Sequence, residues 1–181
     1  MLKLPTIVIL ILLIAASVAD SRANDVTPVL DAIQVEFNLL NGNGEVVQYQ
    51  DFKGRNVLLA FGFTHCLHIC PLIAANIASA LRLAEKDAAG IFVSVDTERD
   101  TPATTDAYAK GFSDKMTGLS GSYEQVSAAA RNFQVTFVVT KSEDNYTVQH
   151  TPSIFLIAPD GELIDVFALN ESPARIANAM Q

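Results

Sequence analysis

The run Asn56-Val57-Leu58-Leu59-Ala60-Phe61 has no polar residue after its first position and no alternation, so as a strand it has no face to give to water. A strand of this kind needs apolar cover on both sides, which calls for a layered fold with helices or a second sheet above and below it. Gly62 and Thr64 mark its end. Immediately beyond comes Thr64-His65-Cys66-Leu67-His68-Ile69-Cys70-Pro71, which holds both cysteines of the chain and two of its three histidines. The third, His150, stands in Gln149-His150-Thr151-Pro152, again just ahead of a buried-strand run. A fold that brings these two segments together makes a site.

Pro71 suits the first turn of a helix. Leu72, Ile73, Ala75, Ile77, Ala78, Ala80, Leu81 and Ala84 continue an apolar helical pattern to about Lys86. Cys66 is thereby expected at the carboxyl end of a strand, where open α/β sheets bind their ligands. Cys70 is expected near a helix N-terminus, where free N–H groups and the helix dipole stabilise a thiolate. A purely structural disulfide is the bland alternative. A loop this short gains only about 2 kcal/mol from cross-linking, against about 4.7 for a loop near a hundred residues. Metal binding, redox cycling or both are the better use of the pair.

From its start, the chain opens with one basic residue, Lys3, an apolar run from Ile7 to Ala16, and the small-residue ending Ser17-Val18-Ala19. Residues 1–19 therefore read as a secretory signal, with an uncleaved anchor as the alternative. No cysteine follows the run, so no lipid attachment is expected there. Export explains how the two thiols meet an oxidising compartment. The whole chain has a formal charge of −8, and loss of Lys3 makes the remainder more acidic. That argues against nucleic acid and anionic membranes as partners; membrane contact is expected only through the N-terminal anchor.

Residues 20–33 read as a tether and 34–181 as one domain. Ile33 to Leu39 alternates, Asn41-Gly42-Asn43-Gly44 is a turn, and Val46, Val47 and Tyr49 resume, which predicts an N-terminal β-hairpin. Gly90 is expected to close the first helix ahead of a buried strand over Ile91–Val95. A charged loop from Asp96 follows, then a helix capped by Asp100 or Thr101 with Pro102 in its first turn. Ser122 and Gln125 form a capping box for a helix to about Phe133. Short strands are expected over Val135–Val139 and Tyr146–Gln149 around a turn from Lys141 to Asn145. Then comes a hairpin of Ser153–Ile157 with Leu163–Phe167, and a helix from Pro173. The order is that of a thioredoxin-like α/β fold, a central mixed sheet with flanking helices.

Several segments together resemble the Sco/SenC family: Phe61 to Cys66 with Ile69-Cys70-Pro71, Ser94 to Pro102, Gly118-Leu119-Ser120-Gly121, and His150-Thr151 with Leu156 to Gly161. The resemblance implies a thioredoxin-like fold, copper held by Cys66, Cys70 and His150 as Cu(I) or Cu(II), and a chaperone role in assembling the binuclear copper centre of cytochrome c oxidase. It implies a periplasmic setting and, as partner, a copper-accepting oxidase subunit or another thiol protein. Two thiolates and an imidazole are soft to borderline donors, and three of them suit Cu(I), whereas a closed structural zinc site wants four.

The chain departs from the family pattern in two places. Leu67 and His68 stand where a proline and an acidic residue are usual, and Pro152 stands where proline is usually absent. The second departure brings in a competing function, an exported thiol:disulfide oxidoreductase with Cys66 and Cys70 as its redox pair, because thioredoxin-like reductases face their cysteines with a cis-proline. A cis Thr151-Pro152 bond is therefore expected. A peroxidase draws only on Thr64 ahead of Cys66, and a purely structural module is at odds with the Cys and His clustering. His68 is expected to be exposed and to ligate nothing. His65 is assigned a supporting role, positioning the cysteines or lowering a thiol pKa. Asp96 and Asp100 read as loop-shaping and helix-capping carboxylates, and Met116 and Met180 as core filling.

Overall fold

The computed structural model of the chain describes residues 32–181. The signal or anchor assigned to residues 1–19, and all but the last two residues of the tether, lie outside the described residues. Among the described residues no helix is long and apolar enough to cross a membrane. The elements run β1 (Asn38–Leu40), β2 (Val46–Gln48), a 3-10 turn (Tyr49–Phe52), β3 (Asn56–Gly62), α1 (Ile69–Leu83), β4 (Ala88–Ser94), α2 (Pro102–Lys110) and β5 (Met116–Leu119). They continue with α3 (Tyr123–Asn132), β6 (Phe137–Ser142), β7 (Asn145–His150), β8 (Ser153–Ile157), β9 (Leu163–Ala168) and α4 (Pro173–Ala179).

Strand β3 is buried at every position, as its apolar run requires, and its one polar side chain, Asn56, donates to the Met180 carbonyl at 3.1 Å. It lies at the middle of a five-stranded sheet of order β5-β4-β3-β8-β9. It runs parallel to β4, which runs parallel to β5, and antiparallel to β8, which pairs antiparallel with β9, so the sheet is mixed. The two faces of β3 enter different apolar layers. Leu58 and Ala60 meet Ile73, Ile77 and Leu81 of α1 and Ile176 of α4. Val57, Leu59 and Phe61 meet Val126, Ala129 and Ala130 of α3. Phe61 packs edge-on against Phe133 with ring centroids 5.7 Å apart. Emptying such a position, as in Leu59→Ala, costs about 2–5 kcal/mol. The central mixed sheet with helices on both faces is the expected thioredoxin-like α/β architecture.

The boundaries differ from expectation where a local pattern had a second cause. The N-terminal hairpin exists, but only Asn38 to Leu40 pairs with Val46 to Gln48. The alternation from Ile33 onward comes instead from lying along α3. There the Gln34 N–H donates to the Asn132 carbonyl at 2.8 Å and the Asn132 amide donates to the Glu36 carbonyl at 3.0 Å. Tyr49 does not extend the hairpin; it starts the 3-10 turn, buried, with its hydroxyl donating to the Ala158 carbonyl. Gly90 does not end a helix. α1 stops at Leu83, and Gly90 lies inside β4, where a Cβ would stand 2.7 Å from Met116 Cγ and 3.0 Å from Ile77 Cγ2. The helix can press onto the sheet there only because the residue has no side chain.

The capping signals are where they were read. Thr101 caps α2 by accepting from the Thr104 N–H, and Ser122 with Gln125 forms the box that starts α3. Strand β5 has no counterpart in the expected elements. At four residues it is too short to display a period, and it is recognised only by its parallel pairing with β4. Met116 within it and Met180 at the C-terminus are core residues. Strands β6 and β7 pair with each other from Phe137↔His150 to Ser142↔Asn145 and, among the described residues, join no other strand. Their hairpin turns more tightly than the expected Lys141 to Asn145. The Thr151-Pro152 bond is trans, like every peptide bond among the described residues. Thr151 is fixed across the base of the hairpin, its N–H donating to the Thr136 carbonyl at 3.1 Å, and this register proceeds into β8 without a cis turn.

Candidate metal centre

The site forms where β3 ends and α1 begins. Gly62, the last residue of β3, has no room for a side chain, since a Cβ would stand 2.6 Å from Phe92 Cζ and 3.2 Å from Cys70 Sγ. The strand end therefore lies directly against the Cys70 sulfur. From Thr64 the chain loops out, exposing Leu67 and His68, and turns into α1 at Ile69. Pro71 falls at the third helical position, where the carbonyl it would strike, that of Leu67, belongs to the loop rather than to the helix. His68 is exposed, as expected.

The two sulfurs differ in every respect that matters chemically. Cys70 is fully buried and Cys66 is partly open to solvent; both are free thiols. Burial pushes the Cys66 thiol up, but the Cys70 thiol and the N–H groups of Cys70, His68 and Ile69 hydrogen-bond to its sulfur and together leave its pKa below the ordinary value. The Cys70 N–H donates to Cys66 Sγ at 3.4 Å. Cys70 goes the other way, pushed up to about 12 by burial first and then by its hydrogen bond to Cys66. The expected thiolate stabilisation at the helix N-terminus is thus real but falls on the other cysteine. The free N–H groups of α1 point back into the loop at Cys66, while Cys70 is inside the first turn and faces the core.

His150 arrives at the end of β7. Its Nε2 stands 3.4 Å from Cys70 Sγ, and its Nδ1 lies 3.1 Å from the Thr151 carbonyl. A carbonyl only accepts, so Nδ1 carries the hydrogen and the Nε2 lone pair faces the sulfur. Burial lowers the His150 pKa, which keeps the ring neutral, with the Thr151 hydrogen bond working against it. The ring of Phe63 meets the imidazole edge-on at 6.0 Å between centroids and shields it on one side. The structure therefore brings Cys66, Cys70 and His150 to one place: Cys66 and His150 line a groove of about 610 Å³, and the buried Cys70 meets both of them. Donors sharing one ion at bonds of about 2.0–2.3 Å lie about 3–4 Å apart, so the existing sulfur–imidazole separation already suits a common ion.

His65 is not part of that set. It is half exposed and its Nδ1 lies 3.1 Å from Asp100 Oδ1. The groups that lower the Cys66 thiol are N–H groups and the neighbouring thiol, not His65, so its assigned effect on a thiol pKa is not what the structure shows. Asp100 is buried and shapes the loop, accepting from the Thr64 N–H at 2.7 Å, the Thr64 hydroxyl at 2.6 Å and the Ser94 hydroxyl at 2.6 Å. The helix cap is Thr101 rather than Asp100. Asp96, also buried, accepts from the Tyr146 hydroxyl at 2.6 Å and from Arg99 Nε at 2.5 Å.

Sequence reasoning missed Gly62, Phe63, Arg99 and Tyr146 as neighbours of the site. For Tyr146 a signal was present, since Tyr146, Val148 and His150 alternate and so share one face of β7. Phe63 and Arg99 lie within segments that resemble the family, but what each touches depends on where the hairpin lands.

A family model described as SCO1/SenC matches residues 27–181. The chain is 37% identical over 151 residues to Protein SCO1 homolog, mitochondrial, of Mus musculus, covering 80% of this chain and 53% of that protein. It thus spans about half the length of the curated relative. Among solved structures it is similar to Bradyrhizobium japonicum ScoI with copper bound, with a TM-score of 0.73 and 35% identity over 82% of this chain and 98% of that one. It is also similar to BsSco, a member of the Sco family of cytochrome c oxidase assembly proteins in which a disulfide switch is identified. That match has a TM-score of 0.63 and 27% identity over 83% of this chain and 95% of the other.

Proposed function

The chain belongs to the SCO1/SenC family, and on that premise we propose that it is an exported copper chaperone that carries copper on Cys66, Cys70 and His150 to a copper-accepting subunit of cytochrome c oxidase. The observation that carries the reading is the disposition of His150, whose Nε2 lone pair faces Cys70 Sγ at 3.4 Å while Nδ1 is committed to the Thr151 carbonyl. One ionisation-ready thiol, one thiol whose proton a metal would displace, and one neutral imidazole make a soft three-donor set suited to Cu(I). Copper here is cargo. Three protein donors, two of them lining a partly open groove, leave a side from which an acceptor's ligands can reach the ion, as a transfer site requires.

The leader over residues 1–19 would deliver the domain across a membrane and leave it in the periplasm or tethered to the inner membrane. The test is anaerobic Cu(I) titration of the reduced protein against a chelator of known affinity. One Cu(I) per chain is expected, and none after oxidation to the Cys66–Cys70 disulfide, because a disulfide offers no thiolate. A reduced protein that fails to compete for Cu(I) refutes the reading.

The inequality of the two thiols favours a second use of the same pair, thiol:disulfide exchange with a partner protein's cysteines. Cys66, accessible and low in pKa, is the sulfur that would attack or be attacked. Cys70, buried and protonated, would resolve the mixed disulfide on losing its proton. The trans Thr151-Pro152 bond removes the proline support for this use, which now stands on the cysteines alone. Faster alkylation at Cys66 than at Cys70 is expected, and equal rates would count against it.

A further inference from the structure

The hairpin that carries His150 is not part of the central sheet, since among the described residues β6 and β7 pair only with each other. Backbone pairing therefore fixes the hairpin's internal register but not its angle to the body of the domain. Polar ties between hairpin and body gather on the loop after β4. The Tyr146 hydroxyl donates to Asp96 Oδ1 at 2.6 Å. The Arg99 guanidinium lies 3.9 Å from the centroid of the Tyr146 ring and pairs with the other oxygen of the same carboxylate. Nearer the tip, Lys141 pairs directly with Glu98 at the exposed surface. Asp96 itself is buried, and its loop is held by the hydrogen bonds of Asp100 to Thr64 and Ser94. The phenol ring is thus gripped on its hydroxyl and on its face by groups that cannot move independently.

We infer that Tyr146, clasped between Asp96 and Arg99, is the positioning residue that sets the hairpin's angle and so places His150 on Cys70. Tyr146 and His150 share a face of β7 four residues apart, with half-buried Val148 between them. Four residues of strand span about 13 Å, and a swing of about 10° over that arm moves the imidazole by about 2 Å, enough to part it from the sulfur. The clasp links the loop that leaves β4 to the histidine that enters the site, although neither Asp96 nor Tyr146 touches a cysteine. The consequence for copper rests on the chaperone reading above; the consequence for the position of His150 does not.

Tyr146→Phe keeps the ring and removes the hydroxyl, and Asp96→Asn weakens the same bond from the other side. In the reduced, metal-free protein the Phe63 ring, edge-on to the imidazole at 6.0 Å between centroids, is expected to displace the NMR signals of the His150 ring protons. In both variants these signals are expected to move toward free-imidazole positions while the sheet amides keep theirs. Cu(I) affinity is expected to fall about tenfold in Tyr146→Phe, the lower end of what loss of a ligand-supporting group costs. In a His150→Ala background the same change is expected to have no further effect. Unchanged His150 signals in both variants, or an equal fall in affinity with and without His150, would overturn the inference. If the signals move as expected but the wild-type protein binds no Cu(I), the positioning role stands and the copper reading falls.

Discussion

Two groups of potential metal ligands flank the end of β3, and they teach opposite lessons. His65, Asp96 and Asp100 offer ligand atoms all within 4.8 Å of one another. Yet Asp100 is met on both oxygens by Thr64 and Ser94, and Asp96 on both by Tyr146 and Arg99. Of the soft group, Cys66 accepts weak hydrogen bonds from N–H groups and a thiol, whereas His150 keeps an Nε2 lone pair whose one hydrogen-bond-range neighbour is the Cys70 sulfur at 3.4 Å. Closeness of ligand-type side chains does not make a metal site; uncommitted lone pairs do. The carboxylate group holds the loop that the sulfur group needs in place.

This contrast can be broken most forcefully at the soft donors. Metal-binding free energies of about 10–16 kcal/mol, shared over three or four ligands, make each worth about 3–4 kcal/mol, or two to three powers of ten in affinity. Cys66→Ala, Cys70→Ala and His150→Ala are each expected to lose that much Cu(I) affinity in chelator competition, with the urea midpoint of the metal-free protein nearly preserved for the partly open Cys66. The hard cluster should respond in reverse. Asp100→Ala strands the Thr64 N–H and the Ser94 hydroxyl, a loss of about 2–3 kcal/mol in the urea unfolding of the metal-free protein. A Cu(I) effect of Asp100→Ala as large as that of a cysteine variant would merge the two groups into one site.

A smaller effect is expected from pH. Because the Cys70 pKa lies at about 12, its proton is present at every ordinary pH and has to leave when the thiolate binds metal. Cu(I) affinity should therefore rise with pH, by about tenfold per unit for this one proton, and more steeply below the lowered pKa of Cys66. A flat profile between pH 6 and 8 would mean that Cys70 does not ligate as a thiolate. The smallest effect should be none at all. Millimolar Mn²⁺, a hard ion suited to carboxylates, is expected to leave the His65 NMR signals unbroadened; selective broadening there would give the Asp96 and Asp100 group a metal of its own.

How much of this was legible in the sequence follows from the range of each signal. The buried character of β3, the caps at Thr101 and Ser122, and the cysteine pair between strand and helix are local patterns, and all three are where the sequence places them. The alternation from Ile33 was legible as periodicity, but its cause, the face of α3, is remote in sequence. Strand β5 is defined by a neighbour rather than by its four residues. At the site, the two segments bearing Cys and His could be singled out because no other position in the chain carries either residue. Which cysteine would hold the low pKa could not, because that depends on whether the first N–H groups of α1 point into the loop or into the core. Pro152 was misread for the same reason, since a dipeptide permits cis but only the hairpin's pairing at Thr136 and Thr151 decides.

The separateness of the β6–β7 hairpin also has an engineering consequence. Its tip, Glu143 and Asp144, is exposed, lies beyond the Lys141–Glu98 pair, and bears no load from the five-stranded sheet. Residues added between Ser142 and Asn145 would lengthen the connection without passing through the core, which is the setting in which insertions are tolerated. A fluorescent label or peptide tag introduced there would ride on the same ribbon as His150, about 20 Å from it along the strand, and would report movement of the ribbon without occupying the groove.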